Sequence, residues 1–172
     1  VRGVFSGGYS GDRTRIDVIT VASKGNAHRF GELSFGRGGA STGGNGVRGI
    51  TASGEGTSKT NTIDYINIAS EGDAIDFGDI LANPNMDPAA SSSTIRGVFA
   101  GGRNPGTTNT IEYFEFAVLS NSIDFGDLST ARFELTSCSD STRALFAGGR
   151  SPSTQSSIEK ITIRDGKTIL DT

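Results

Sequence analysis

Four residues that could contact a ligand occur at one position of an internal repeat, directly after a glycine. They are aromatic, acidic or basic in different copies: Tyr9, Glu55, Arg103 and Arg150. The loops that follow them also differ in sequence. A varied side chain on a repeated framework favours contact with a ligand or partner, because function in repeat proteins resides in loops. Solvent-exposed turns without a binding role are the alternative.

Carboxylates also recur at one position of the repeat, as Asp17, Asp64, Glu112 and Glu159. A catalytic carboxylate would rarely be needed once per repeat. We therefore predict a structural role, in which these groups pair between strands or sheets with four recurring arginines: Arg2, Arg48, Arg96 and Arg143. Buried pairing of this kind would favour a defined register.

Enzymatic motifs are scarce in the sequence. His28 is the only histidine, which excludes a histidine metal cluster, and we expect it to have a structural or surface role. Gly44–Gly49 matches GxGxxG, but no helix follows to bind a phosphate. Cys138 is the only cysteine and is expected to be a small buried side chain. We predict a non-enzymatic protein without metal or cofactor; a hydrolase or oxidase on the same scaffold is the alternative.

Composition narrows the range of partners. The formal net charge is −3, the sequence pI is about 5.1, and no basic cluster occurs, which argues against nucleic-acid binding. The apolar runs are too short to span a bilayer, so no membrane association is expected. Glycine accounts for 25 of the 172 residues, which predicts many turns and little helix.

The chain repeats one unit almost four times. The arginines Arg2, Arg48, Arg96 and Arg143 mark the copies, at spacings of 46, 48 and 47 residues. Residues 1–172 are therefore expected to form one repeat domain, with approximate units 1–46, 47–94, 95–142 and an incomplete 143–172. Each unit contains short runs of Val, Ile, Phe and Tyr bounded by turn residues, which predicts strands and an all-β fold.

Two kinds of predicted strand indicate how the units pack. The run around Ile63–Ile68 is apolar on both faces, as expected for a sheet covered on both sides. Segments 38–44, 87–93 and 134–140 contain mainly small residues. We expect them to form the innermost strands, next to a crowded axis; flexible Gly/Ser linkers are the alternative, although their matched lengths argue against it.

Four strands in about 47 residues, with an apolar run ending in Gly-Gly, resemble kelch repeats. The resemblance implies a β-propeller with about four four-stranded blades in this chain. Arg132 and Arg37 match the arginine that opens the next kelch unit, and they complete the predicted loop-face binding set. Phe125 stands where kelch units usually carry Trp, so the repeats are divergent. The sequence of these repeats is also similar to repeats in virion-associated proteins of aquatic bacteriophages, such as tail or fibre proteins.

Together these patterns favour a structural or binding module on a virion or extracellular surface. Its expected partners are another protein, copies of itself or a surface glycan. The C-terminal part of a larger intracellular kelch-type interaction protein is a further alternative. The ring could close as a compact four-bladed propeller, by joining two chains into seven or eight blades, or together with additional sequence.

Overall fold

The computed structural model describes residues 1–11, 13–81, 86–164 and 168–171, and within these ranges every regular element is a β-strand. The predicted all-β class is confirmed. No helix able to cross a membrane occurs in the described part of the chain. The strands are grouped into four sheets: β1 (Arg2–Ser6), β2 (Arg15–Thr20) and β3 (His28–Glu32) in the first; β4 (Ser41–Gly44), β5 (Arg48–Ala52), β6 (Thr62–Asn67) and β7 (Ile75–Asp79) in the second; β8 (Ala89–Ser92), β9 (Arg96–Ala100), β10 (Thr110–Glu115) and β11 (Ile123–Asp127) in the third; and β12 (Thr136–Ser139), β13 (Arg143–Ala147), β14 (Ile158–Thr162) and β15 (Thr168–Asp171) in the fourth.

Each sheet is an antiparallel meander in which consecutive strands are neighbours. The registers repeat: Arg2 pairs with Thr20, Arg48 with Asn67 and Arg96 with Glu115. Every four-stranded sheet takes its first strand from the end of the preceding sequence unit, so sheets and units are offset. Among the described residues, no strand of the first sheet pairs with a strand of the fourth.

Three apolar clusters lie between consecutive sheets, and together they form the core. The first joins Ile16, Val18 and Phe30 to Ile66 of the second sheet. The second joins the second and third sheets, and the third joins the third and fourth. Ile63 is fully buried on one face of β6 and Ile66 is 7% exposed on the other. The predicted burial on both faces is therefore confirmed for this strand.

The small-residue segments form strands β4, β8 and β12, and the flexible-linker alternative is wrong. These strands contact one another along one edge of their sheets. Serine hydroxyls connect them: Ser92 Oγ donates to Gly44 O at 2.8 Å, and Ser139 Oγ donates to Ser92 O at 2.8 Å. Larger side chains would separate the strands and break these bonds, which explains the preference for small residues.

A pair of glycines forms the turn that ends β9. Gly101 has φ +69°, and a Cβ built there would lie 2.4 Å from the carbonyl oxygen of Arg132. The next residue, Gly102, donates its N–H to the same carbonyl at 2.8 Å. The close approach of the two backbones brings the loop after β9 against the segment that enters the fourth sheet.

We predict that Gly101→Ala destabilises the protein by about 2–4 kcal/mol, because the methyl group meets a backbone oxygen at a left-handed φ. Urea unfolding would measure the loss. Gly106→Ala is the matched control, since no atom lies within 4 Å of its Cβ position. Equal midpoints for the two variants would contradict this explanation.

Candidate functional site

The candidate site is the end of the sheets where the loops after the glycines meet the segments that enter β4, β8 and β12. In three sheets, the residue after the glycines forms a two-way backbone bridge with a residue in such a segment. The bridged pairs are Glu55 with Gly38, Arg103 with Met86, and Arg150 with Phe133. The bridges hold three of the predicted site residues at equivalent places on one surface, which we call the loop face.

A chain of left-handed residues runs across the loop face. Gly39, Asp87 and Glu134 each precede an inner strand and have φ of 62°, 57° and 56°. Asp87 N–H donates to Gly39 O at 2.8 Å, and Glu134 N–H donates to Asp87 O at 3.0 Å. Positive φ is uncommon for residues with side chains and is often found at functional positions. The two acidic residues therefore belong to the candidate site.

The carboxylate of Asp87 brings two predicted site residues together. Tyr9 Oη donates to Asp87 Oδ1 at 3.1 Å, and Arg103 Nη2 lies 3.0 Å from Asp87 Oδ2. The guanidinium of Arg103 also lies over the ring of Phe133, 4.4 Å from its centroid. Tyr9 is 62% exposed whereas the Asp87 side chain is 12% exposed. An accessible ring thus lies beside an ion pair whose carboxylate is shielded and whose guanidinium is partly exposed.

Arg150 repeats this arrangement one sheet further on. Its Nε lies 3.0 Å from Glu134 Oε2, and both side chains are largely exposed. Glu55 occupies the equivalent bridge of the second sheet, where Gly39 supplies no carboxylate. The loop face therefore carries two acid–arginine pairs and one exposed tyrosine, a surface suited to binding polar groups.

Arg37 and Arg132 do not belong to the exposed loop face, and their inclusion in the predicted binding set needs correction. Both are 0% exposed. Arg37 Nη2 donates to Asp64 Oδ2 at 2.7 Å and Arg132 Nη2 lies 2.7 Å from Glu159 Oε1. The segments entering β4 and β12 each bury their arginine, and its guanidinium pairs with a carboxylate of the same sheet. Burial lowers the pKa of Arg37, and the nearby charge of Asp64 opposes this shift.

Asp64, Glu112 and Glu159 are buried, as a structural role requires. Their predicted pairing with the recurring arginines Arg2, Arg48, Arg96 and Arg143 is wrong. Asp64 and Glu159 instead pair with arginines that precede β4 and β12. The β5–β6 register explains this, since Arg48 lies opposite Asn67 and Asp64 lies opposite Thr51. Three of the four recurring arginines reach the next sheet instead, whereas Arg143 pairs with Asp140. Their acceptors are carbonyls just after its third strand: Ile68 O for Arg2, Phe116 O for Arg48, and Ile163 O and Arg164 O for Arg96.

The structure agrees with the predicted environment of His28 but not with that of Cys138. His28 is exposed and its Nε2 lies 3.1 Å from Glu71 Oε1, which agrees with a surface role. Cys138 is exposed rather than buried, so that prediction is wrong. Its counterpart in the third sheet, Ser91, is covered because the fourth sheet packs beside β8. Within the described ranges, no three His, Cys, Asp or Glu side chains could hold a metal ion.

Removing one member of a buried pair tests the role of these carboxylates. We predict that Arg132→Met costs about 3–5 kcal/mol, because Glu159 would stay buried without its counter-ion. Adding Glu159→Leu to that variant should recover most of the loss. Urea unfolding provides the measurement, with Arg143→Met as the control, since its pair with Asp140 is exposed and its midpoint should not change. A double variant as unstable as Arg132→Met would contradict the argument.

The hydrogen bond between Tyr9 and Asp87 has a titration signature. Partial desolvation, followed by the hydrogen bond and charge of Asp87, raises the pKa of Tyr9 above 10.0. Because the pKa of Tyr9 is raised in the folded state, the stability that its hydrogen bond contributes is fully present below the unfolded-state pKa. It is lost as pH rises through the folded-state pKa.

We predict that Asp87→Asn lowers the pKa of Tyr9, since it removes the negative charge beside the hydroxyl. Tyrosinate absorbance would follow the titration, with Tyr9→Phe identifying this residue among the three tyrosines. An unchanged titration in Asp87→Asn would show that the carboxylate does not act on Tyr9 in solution.

Sequence reasoning missed Asp87, Phe133 and Glu134. A signal for two of them was present: the position before the inner strand is Gly39 in one copy and an acid in the next two. A left-handed conformation favours glycine there, so a charged residue in its place is unusual. Nothing in the spacing shows that Phe133 lies beneath Arg103.

Comparison with known proteins adds no family assignment. No family model matches the chain, and no curated protein matches it.

Proposed function

We propose that this chain is a non-enzymatic binding module, built from the kelch-like blades of a β-propeller, whose loop face contacts a glycan or protein partner. Four similar antiparallel sheets, three of them with a small-residue inner strand, support the blade interpretation. The proposal includes a structural role and contact with further copies of the chain. The proposed localisation, on a virion or another extracellular surface, rests on the resemblance of the repeat sequences to those of virion-associated proteins.

One observation carries the binding role. The framework contacts recur from sheet to sheet, whereas the residues that the backbone bridges present on the loop face differ: Glu55, Arg103 and Arg150. Tyr9 lies beside them through its bond to Asp87. Exposed tyrosine and arginine are side chains that bind partners strongly. Carboxylate and guanidinium groups held in pairs can exchange hydrogen bonds with sugar hydroxyls.

We predict that the chain binds glycans and that Tyr9→Ala and Arg150→Ala each weaken binding at least tenfold, as expected for central interface residues. A glycan array with wild type and variants provides the measurement. Lys24→Ala is the matched control, because it alters an exposed residue between β2 and β3, at the opposite end of the first sheet.

Two outcomes would count against this proposal. A blank array with folded wild-type protein would contradict the glycan version. Retention that is equal for wild type, Tyr9→Ala and Arg150→Ala would show that any bound glycan does not use the loop face. Circular dichroism of each variant establishes that the fold is retained.

A further inference from the structure

The first sheet differs from the other three at one edge. In the other sheets, β5, β9 and β13 each pair with a short strand of small residues, β4, β8 or β12. Their counterpart β1 pairs with β2 and, among the described residues, has no strand on its other side. The unpaired backbone of an edge strand is a template for adding another strand.

The internal pattern shows which backbone groups face this edge. Arg48, Arg96 and Arg143 accept hydrogen bonds through their carbonyls from the hairpin that joins the inner strand. Arg2 is their counterpart. On the other side, Gly7 N–H donates to Arg15 O of β2. Since backbone directions alternate along a strand, the N–H and C=O groups of Val4 and Ser6 point to the free edge.

Space for an added strand lies between β1 and β4. A cavity of about 290 Å³ is lined by Val4 and Ser6 from one side and by Thr42 and Gly43 from the other. Thr42 is exposed. It is the counterpart of Ser137, whose hydroxyl donates to Ala90 O of the neighbouring inner strand at 2.6 Å. The hydroxyl of Thr42 is thus in place to bond an added strand in the same way.

The carboxylate of the first sheet does not require an arginine from the added strand. Asp64 and Glu159 each pair with an arginine from the segment before the inner strand of their sheet. Asp17, at the equivalent position, pairs instead with Arg15 of its own strand, Nε to Oδ1 2.7 Å. An occupant therefore has to supply only an extended backbone and small side chains.

We propose that the free edge of β1 is a binding site for an extended peptide of about four Gly, Ala, Ser or Thr residues, which adds antiparallel to β1. Main-chain hydrogen bonds to Val4 and Ser6 supply the affinity, as in other cases of strand addition. Contact with β4 excludes large side chains. The site is separate from the loop face and does not depend on the proposed function.

The probe is a synthetic peptide with the sequence of residues 87–94, Asp-Pro-Ala-Ala-Ser-Ser-Ser-Thr. Titrated into the isotope-labelled chain, it should shift the amide resonances of Val4 and Ser6 and slow their hydrogen exchange. In the free chain these amides should exchange faster than those of Val98 and Ala100, which face β8.

Backbone methylation gives a matched pair of control peptides. In β8, the residues at positions 89 and 91 lie opposite Ala100 and Val98, whose backbone groups face β8. N-methylation at these two positions should weaken binding at least fivefold, the equivalent of about 1 kcal/mol for one hydrogen bond. N-methylation at positions 90 and 92, which face away from this strand, should weaken it less.

Two protein variants complete the test. Val4→Pro removes an edge N–H while sparing the bonds to β2, and Thr42→Val removes the hydroxyl; both should weaken peptide binding. The proposal is overturned if the peptide does not bind, if its shifts map to the loop face, or if both methylated peptides bind equally. Protection of the Val4 and Ser6 amides in the free chain, equal to that of Val98 and Ala100, would also overturn it.

Discussion

The stacking of the sheets depends on a buried carboxylate that accepts hydrogen bonds from the connection between its own sheet and the preceding one. Asp64 accepts hydrogen bonds from Ser34, and Glu159 accepts the equivalent bonds from Ser129. Glu112 accepts one from the Leu81 N–H at 2.7 Å. A buried charge must be paired or hydrogen-bonded, so the second, third and fourth sheets each hold the connection that follows the preceding sheet's last strand. The next inner strand is thereby placed against its neighbour.

Small side chains on the inner strands are the second requirement for stacking the sheets. The carboxylate fixes where each connection enters, and serine hydroxyls then join the inner strands to one another. An apolar strand of equal length would supply no such bonds, and its larger side chains would not fit between neighbours. Polar residues of low volume thus satisfy both hydrogen bonding and packing in the most crowded part of the fold.

The sequence allowed the strands to be predicted more fully than the contacts between them. Repeat spacing and apolar runs predict the all-β class, and small residues with matched lengths predict inner strands within 38–44, 87–93 and 134–140; the strands lie at 41–44, 89–92 and 136–139. The burial of Arg37 and Arg132 was not predictable, because it depends on which carboxylate lies beneath the incoming segment. Pairing of Asp64 with Arg48 seemed equally reasonable until the β5–β6 register placed them apart. Asp87, which has a left-handed backbone, likewise donates its N–H to Gly39 O, and this contact is far away in sequence.

The two end sheets show that a repeated pattern does not fix the environment of a residue. Ile63 and Ile111 are fully buried, whereas Ile158, at the same position of the fourth sheet, is 46% exposed. Phe5 in the first sheet is 58% exposed, although its counterpart Phe99 belongs to the core. The difference comes from whether another sheet covers that face, since the local strand pairing is the same. Identical strand chemistry therefore produces core between sheets and accessible surface at either end, and it is at such surfaces, and at the edge of β1, that further contacts can be made.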